Sequence, residues 1–292
     1  MNDDQLTIKL LLSRAKSLAD EGKYLHALQL YKKIISEDSQ TPEPYIQCSL
    51  LHLNNGQVDS AIKTLEDGFK LFPKDEAIIF RLGILCHQSE QYHKSIGFLK
   101  SLRKRQSATI HYALGVAYLK IDKYERAKEY LKIVQKSDPK YPHVNFHLGE
   151  ALFKLNLFAE SLKYFKNEIS LNPTDWEAHY YQGIAYLRLM DYKKALSAFE
   201  AVNKIDPNNL TGITKSGECL LALKKYDEAK NCLDLALSYN PDFIDALVVL
   251  GRLHDAVGDY INANEVLCKA SNLEPHNIMI RNLYQKVKSK HI

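Results

Sequence analysis

Five prolines, Pro139, Pro173, Pro207, Pro241 and Pro275, stand 34 residues apart. Other positions keep the same beat: Gly149, Gly183 and Gly217; Leu152, Tyr186 and Leu220; Phe158, Tyr192 and Tyr226; Ser161, Ala195 and Ala229; Phe165, Phe199 and Leu233. A fixed period of this length marks a stacked repeat array in which each repeat is one supersecondary unit. Residues 176–209 show how the unit is built. Apolar spacing predicts one helix over 176–189 and a second over 192–204, and the short turn at Met190-Asp191 makes them antiparallel. Gly183 and Ala195 fall where the helices cross, while Tyr186, Tyr192 and Phe199 fill the space around that crossing. Pro207 closes the unit because it cannot continue a helix and disfavours helical geometry at Asp206. A lone hairpin of this kind exposes an apolar side that only the next hairpin can cover.

Gly183, Tyr186, Ala195, Phe199 and Pro207 match, in order, the last five motif positions of the tetratricopeptide repeat; His179 and Gln182 stand where that family has Trp and Leu. The chain resembles this family from residue 8 to residue 277. The resemblance implies an all-α fold, a right-handed superhelical α-solenoid, and an interaction role. Repeats are expected at 8–41, 42–75, 76–107, 108–141, 142–175, 176–209, 210–243 and 244–277, forming one domain over residues 1–292. The third is two residues short and ends in Arg103-Lys104-Arg105-Gln106-Ser107. Residues 278–292 read as a capping helix in which Ile278, Leu283 and Val287 cover the last repeat and Arg281, Lys286, Lys288 and Lys290 face water; solenoids need such caps. At the other end Leu6, Ile8, Leu10, Leu11 and Leu12 crowd the first helix. An exposed apolar strip there offers a homodimer contact; fraying, or packing against the acidic tail, is the plainer account.

The repeat sets aside the two globular domains that 292 residues would otherwise suggest, since a solenoid grows by nearest-neighbour stacking. A 46% apolar and 25% charged composition is that of a folded soluble chain, and a net charge of +4 does not by itself imply nucleic acid. Met1-Asn2-Asp3-Asp4 lacks a basic leader, and no apolar run approaches a membrane span. Cys48, Cys86, Cys219, Cys232 and Cys268 are odd in number and show no CxxC spacing. They read as buried reduced thiols, which points to the cytoplasm.

No nucleotide loop, GxSxG elbow or spaced Ser-His-Asp set is present, so no enzyme and no cofactor is expected. His143 and His147 share a helix face with Glu150 one turn on, a spacing that can chelate a metal. The intervening Val-Asn-Phe lacks the general base of HExxH helices, and the pair reads as polar groove residues.

In the tetratricopeptide family the first helix of each repeat lines the concave face, chiefly through its second, fifth, sixth, ninth, twelfth and thirteenth positions. The resemblance therefore implies a groove whose fifth position runs Leu12, Ile46, Phe80, Tyr112, Phe146, Tyr180, Thr214 and Val248. Two readings stand side by side: a platform for apolar side chains of a bound segment, or rings completing the packing of neighbouring first helices. The thirteenth position supplies Lys120, Lys154 and Arg188, either a basic rail for acidic residues or solvated helix ends. The family's chaperone-tail carboxylate clamp is not supplied by any three consecutive repeats. Its asparagine ladder at the sixth position is missing as well. Residues 94–140 hold twelve Lys or Arg against four Asp or Glu, whereas residues 142–292 hold seventeen basic and eighteen acidic residues. The resulting expectation is a non-catalytic adaptor that binds a protein segment, apolar with acidic flanks, against Ile46, Phe80, Tyr112, Phe146, Tyr180, Lys120, Lys154 and Arg188. The alternatives are an adaptor for nucleic acid or an anionic surface through residues 94–140, nucleic acid being disfavoured because no regular polar pair accompanies the aromatics, and a regulatory subunit of an enzyme.

Overall fold

A computed structural model describes residues 3–37, 41–102 and 107–290. Among these residues there are seventeen α-helices and no strand. The chain divides into two compact units, Met1–Tyr141 and Pro142–Ile292.

The first unit contains α1 (Asp3–Asp20), α2 (Tyr24–Ser36), α3 (Glu43–Asn54), α4 (Val58–Leu71), α5 (Glu76–Gln88), α6 (Tyr92–Ser101), α7 (Ala108–Lys120) and α8 (Tyr124–Ser137). The second contains α9 (Val144–Lys154), α10 (Phe158–Leu171), α11 (Trp176–Arg188), α12 (Tyr192–Ile205), α13 (Leu210–Ala222), α14 (Tyr226–Tyr239), α15 (Ile244–Ala256), α16 (Tyr260–Leu273) and α17 (Ile278–Lys288). Within each unit consecutive helices pack as pairs, and each pair packs on the next. The short third repeat appears as the brevity of α6, 10 residues against 13 or 14 in the other second helices. The basic run Arg103-Lys104-Arg105-Gln106 lies outside the described residues.

The pairing rests on the small residues that the sequence placed at the crossings. A Cβ on Gly183 would stand 2.7 Å from Cε1 of Phe199, which is fully buried, and one on Gly149 would stand 2.7 Å from Cε1 of Phe165. At the register position of Ala195, Ser95 is buried and donates its hydroxyl to the Gly83 carbonyl at 2.8 Å, so even a polar residue there is spent on the crossing. Each first helix ends in one left-handed residue: Gly22, Gly56 and Gly258, but also Glu90, Asp122, Asn156, Met190 and Lys224. At α11 the Asp191 amide donates to Tyr186 O and the Met190 amide to Leu187 O, which satisfies carbonyls that the helix end would otherwise leave open.

Three first helices begin with a side chain that accepts from the third helical amide: Asp75 accepts from Ile78 N, Asp175 from Ala178 N and Asn209 from Gly212 N. The α9 start departs from this. Its N-cap, His143, is left-handed at φ 57° and makes no side-chain cap. The Phe146 amide donates instead to Glu168 Oε2 on α10, at 3.2 Å. Glu168 is 3% exposed, and its register counterparts Gly68, Val134, Val202, Ala236 and Ala270 carry no charge. Burial pushes its carboxyl up, against the pull of the Phe146 amide and the His143 ring.

Two expectations at the chain ends need correction. Ile278 does not cover the last repeat; it is 67% exposed, because it opens the first turn of α17 beside the Asn277 cap. Ile280 and Val287 are buried there, with Leu283 and Tyr284 packed beside Val287. Lys290 does not stand free in water either, since it pairs with Asp255 at 2.5 Å and lies over the Tyr260 ring. At α1, Ile8, Leu11 and Leu12 pack on the first pair's core while Leu10 is exposed; the side chain of Leu6 lies outside the described residues. Cys48, Cys86 and Cys219 are buried free thiols, and Cys232 and Cys268 are half-buried. Burial pushes the Cys219 thiol up to about 12, which keeps it protonated and unreactive at neutral pH.

Candidate partner-binding surface

The fifth-position ladder is not uniform in the structure. Ile46 is 6% exposed and packs in a core of the first unit with Ala61, Leu65 and Leu82. Phe146 is 8% exposed and packs with Phe165 and Ala178. Its ring meets Tyr181 edge-on at 5.7 Å and Phe165 at 6.3 Å. Ile46 and Phe146 therefore answer to the packing reading, because their side chains fill space between pairs. Tyr181, also stacked on Phe165, belongs to the same aromatic core, and burial pushes its phenol up to about 12.

The other ladder members keep open surface. In the first unit, Phe80 borders a hollow of about 160 Å³ with Ser49, Leu53, Arg81 and Ile84. Tyr112 is half-buried, its ring 4.9 Å from that of Tyr141. In the second unit, Tyr180 rests on Phe199 at 5.8 Å and opens into a hollow of about 320 Å³ with Trp176, Asn209 and Thr211.

The basic residues are exposed at the ends of first helices: Lys120 on α7, Lys154 on α9 and Arg188 on α11. Lys154 and Arg188 share a hollow of about 430 Å³ with Phe153 and Phe158. Among the described residues neither makes an ion pair. Arg188 also borders a second hollow of about 310 Å³ whose wall is formed by α11, α13 and α15 with Tyr192 at the start of α12. There Ile184, Leu187 and Leu221 supply apolar surface, and Lys215, Glu218 and Arg252 supply charge. Lys215 Nζ donates to Glu218 Oε2 at 2.8 Å, and Arg252 Nη1, exactly one repeat after Glu218 in sequence, donates to its Oε1 at 3.3 Å. Burial alone would push the Glu218 carboxyl up; the hydrogen bond and charge of Lys215, joined by Arg252, overcome it and hold the group below its usual range. Three cations around one carboxylate leave this apolar-walled hollow positive.

Glu218 yields a pH prediction. A carboxyl held low in the folded state stabilises above its unfolded pKa, and that contribution is lost as pH falls through the folded value. Glu218→Gln should therefore cost about 1–2 kcal/mol near neutral pH. The gap from wild type should close in acid below the ordinary carboxylate range, as read by denaturation at several pH values.

Reading along the fifth and thirteenth positions brought out Tyr180, Lys154 and Arg188 but missed Lys215, Glu218 and Arg252. These occupy the sixth and ninth positions of the seventh and eighth repeats, so the signal was present in the positions that the resemblance names. His147 faces Glu150, Nδ1 to Oε2 3.3 Å.

Two sequence profiles of the tetratricopeptide repeat match the chain, one over residues 18–82 and 186–253, the other over 112–173 and 151–209. The chain belongs to the tetratricopeptide repeat family. Solved structures agree on the fold. A tetratricopeptide repeat protein from Parabacteroides merdae aligns at TM-score 0.60 and 15% identity, covering 86% of this chain and 100% of that one. MamA aligns at TM-score 0.53 and 22% identity over 57% of this chain and 92% of its own. A chain of the APC/C hetero-tetramer Cut9–Hcn1 aligns at TM-score 0.58 and 15% identity, covering 98% of this tetratricopeptide chain and 57% of that one. No curated protein sequence matches the chain. Among the described residues no helix is long and apolar enough to cross a membrane.

Proposed function

We propose that this tetratricopeptide repeat protein is a non-catalytic scaffold that seats a partner protein segment against its first helices, in a cytoplasmic setting consistent with its free buried thiols. The observation that carries this reading is the pair of hollows meeting at Arg188, where apolar walls stand beside cations in excess of carboxylates. Such a surface suits a segment with apolar anchors and acidic flanks. Tyr180 serves as an aromatic anchor on the same unit, and Phe80 plays that part on the first unit. Lys154 and Arg188 steer association, since charges at a rim act mainly on encounter and are screened by salt. Self-association through α1 is a lesser part of the reading, because most of its apolar side chains turn into the first core.

Selection from a displayed library of random dodecapeptides tests the proposal with defined ligands. Enriched peptides should carry Leu or Phe flanked by Asp or Glu and should lose binding to Tyr180→Ala protein. Enrichment of basic peptides, or peptides indifferent to Tyr180, would contradict it.

A second reading draws on residues 94–140. Lys120, Lys123, Arg126, Lys132 and Lys136 make no ion pair among the described residues, whereas Lys94 pairs with Glu66 and Lys128 with Glu125. This reading makes the region a docking surface for an anionic partner, and it requires binding to RNA or acidic vesicles that falls steeply with salt.

A further inference from the structure

Glu168 is the one carboxylate in a register position that the other repeats fill with Gly or an apolar residue, and its burial does not end with the cap it provides. One oxygen, Oε2, receives the Phe146 amide; the other, Oε1, lies 3.4 Å from Nδ1 of His143. Asp175, at the start of α11, reaches the same point. One ligand atom each from His143, Glu168 and Asp175 lies within 4.8 Å of the others. Asp175 is likewise anchored, its Oδ1 accepting from the Ala178 amide at 3.1 Å. Both carboxylates are thus held by backbone amides from behind, which is how outer-shell hydrogen bonds orient metal ligands. The imidazole closes the set from the solvent side, with its side chain 56% exposed, which leaves an entry path and room for water ligands.

We propose that His143, Glu168 and Asp175 form a binding site for a transition-metal dication of the zinc class, clasping the start of α9 and the start of α11 to the C-terminal part of α10. One imidazole nitrogen with two carboxylate oxygens is a mixed set suited to Zn²⁺, Co²⁺ or Ni²⁺; Ca²⁺ prefers six to eight oxygens and Mg²⁺ keeps most of its water. A dication also supplies the positive charge that the buried Glu168 lacks, since its protein partners are an amide and an imidazole. The site is separate from the hollows around Arg188 and would hold whether or not those bind a peptide. Its members are 25 and 7 residues apart in sequence, spacings with no motif value, which is why only the fold brings them together.

Titration calorimetry of the full chain, first stripped with a chelator, tests the site with Zn²⁺ alone. The chain has eleven histidines, so variants decide between this site and scattered surface binding. Wild type should take one Zn²⁺ tightly and unfold at a higher temperature when loaded. His143→Ala, Glu168→Gln and Asp175→Asn should each weaken that event by more than about tenfold and abolish the thermal shift, while His147→Ala should retain both. Gln and Asn keep the acceptors that cap α9 and α11, and His143→Ala alters an exposed side chain, so all three should stay folded; circular dichroism checks this. Co²⁺ substitution adds a visible absorption band that should vanish in His143→Ala. Tight Zn²⁺ binding that persists in His143→Ala, or no thermal shift in wild type, would overturn the proposal.

Discussion

Replacing Phe146 by Ala should destabilise the second unit by about 3–5 kcal/mol, the usual cost of truncating a buried aromatic ring. The ring is 8% exposed and touches Phe165 and Tyr181, and Phe165 lies so close over Gly149 that a Cβ there would stand 2.7 Å from its ring. The Glu168 cap uses the Phe146 amide and survives the change, so the loss reports packing alone. Tyr180→Ala supplies the contrast. Its ring leans on Phe199 with part of its surface open, so the stability loss should be smaller and the loss of peptide affinity larger. Denaturant unfolding of both variants, beside peptide binding, separates the two roles. A loss below about 1 kcal/mol for Phe146→Ala would return that ring to the open surface.

The double reversal Lys154→Glu with Arg188→Glu should cut affinity for an acidic-flanked peptide at least about tenfold at low salt. The two residues share one hollow and neither is committed to an ion pair among the described residues, so the reversal changes the field without breaking a native bridge. The deficit should shrink as ionic strength rises and the Debye length falls below about 10 Å. Far-ultraviolet circular dichroism should be unchanged. A deficit independent of salt would mean that these side chains make buried contacts with the peptide rather than steering it.

The architecture was legible because it is periodic. The 34-residue beat placed Trp176–Arg188 and Tyr192–Ile205 almost to the residue, and the turn at Met190-Asp191 with them. Periodicity says which positions are equivalent, and it errs where equivalent positions meet different neighbours. Phe80 and Phe146 share a register, yet one borders a hollow and the other fills a core, because Tyr181 and Phe165 close over Phe146. Ile278 shares the register of Ile244 but stands on the last helix, 67% exposed. The charged hollow was half legible: Arg188 came from the thirteenth position, while its partners required reading Lys215, Glu218 and Arg252 as neighbours across two repeats. Glu168 broke the register openly as an acid among Gly and apolar residues. What it caps, and what it meets at His143 and Asp175, depends on three helix ends converging, which no linear spacing encodes.

The central claim is that partners are held by the first helices around Arg188. Hydrogen–deuterium exchange of the chain, with and without a selected acidic-flanked peptide, tests it most directly. The account predicts slowed exchange at the ends of α11, α13 and α15 that border the hollow, with α14 little changed. Protection confined to α14 and α16, with none on α11, α13 and α15, would contradict it.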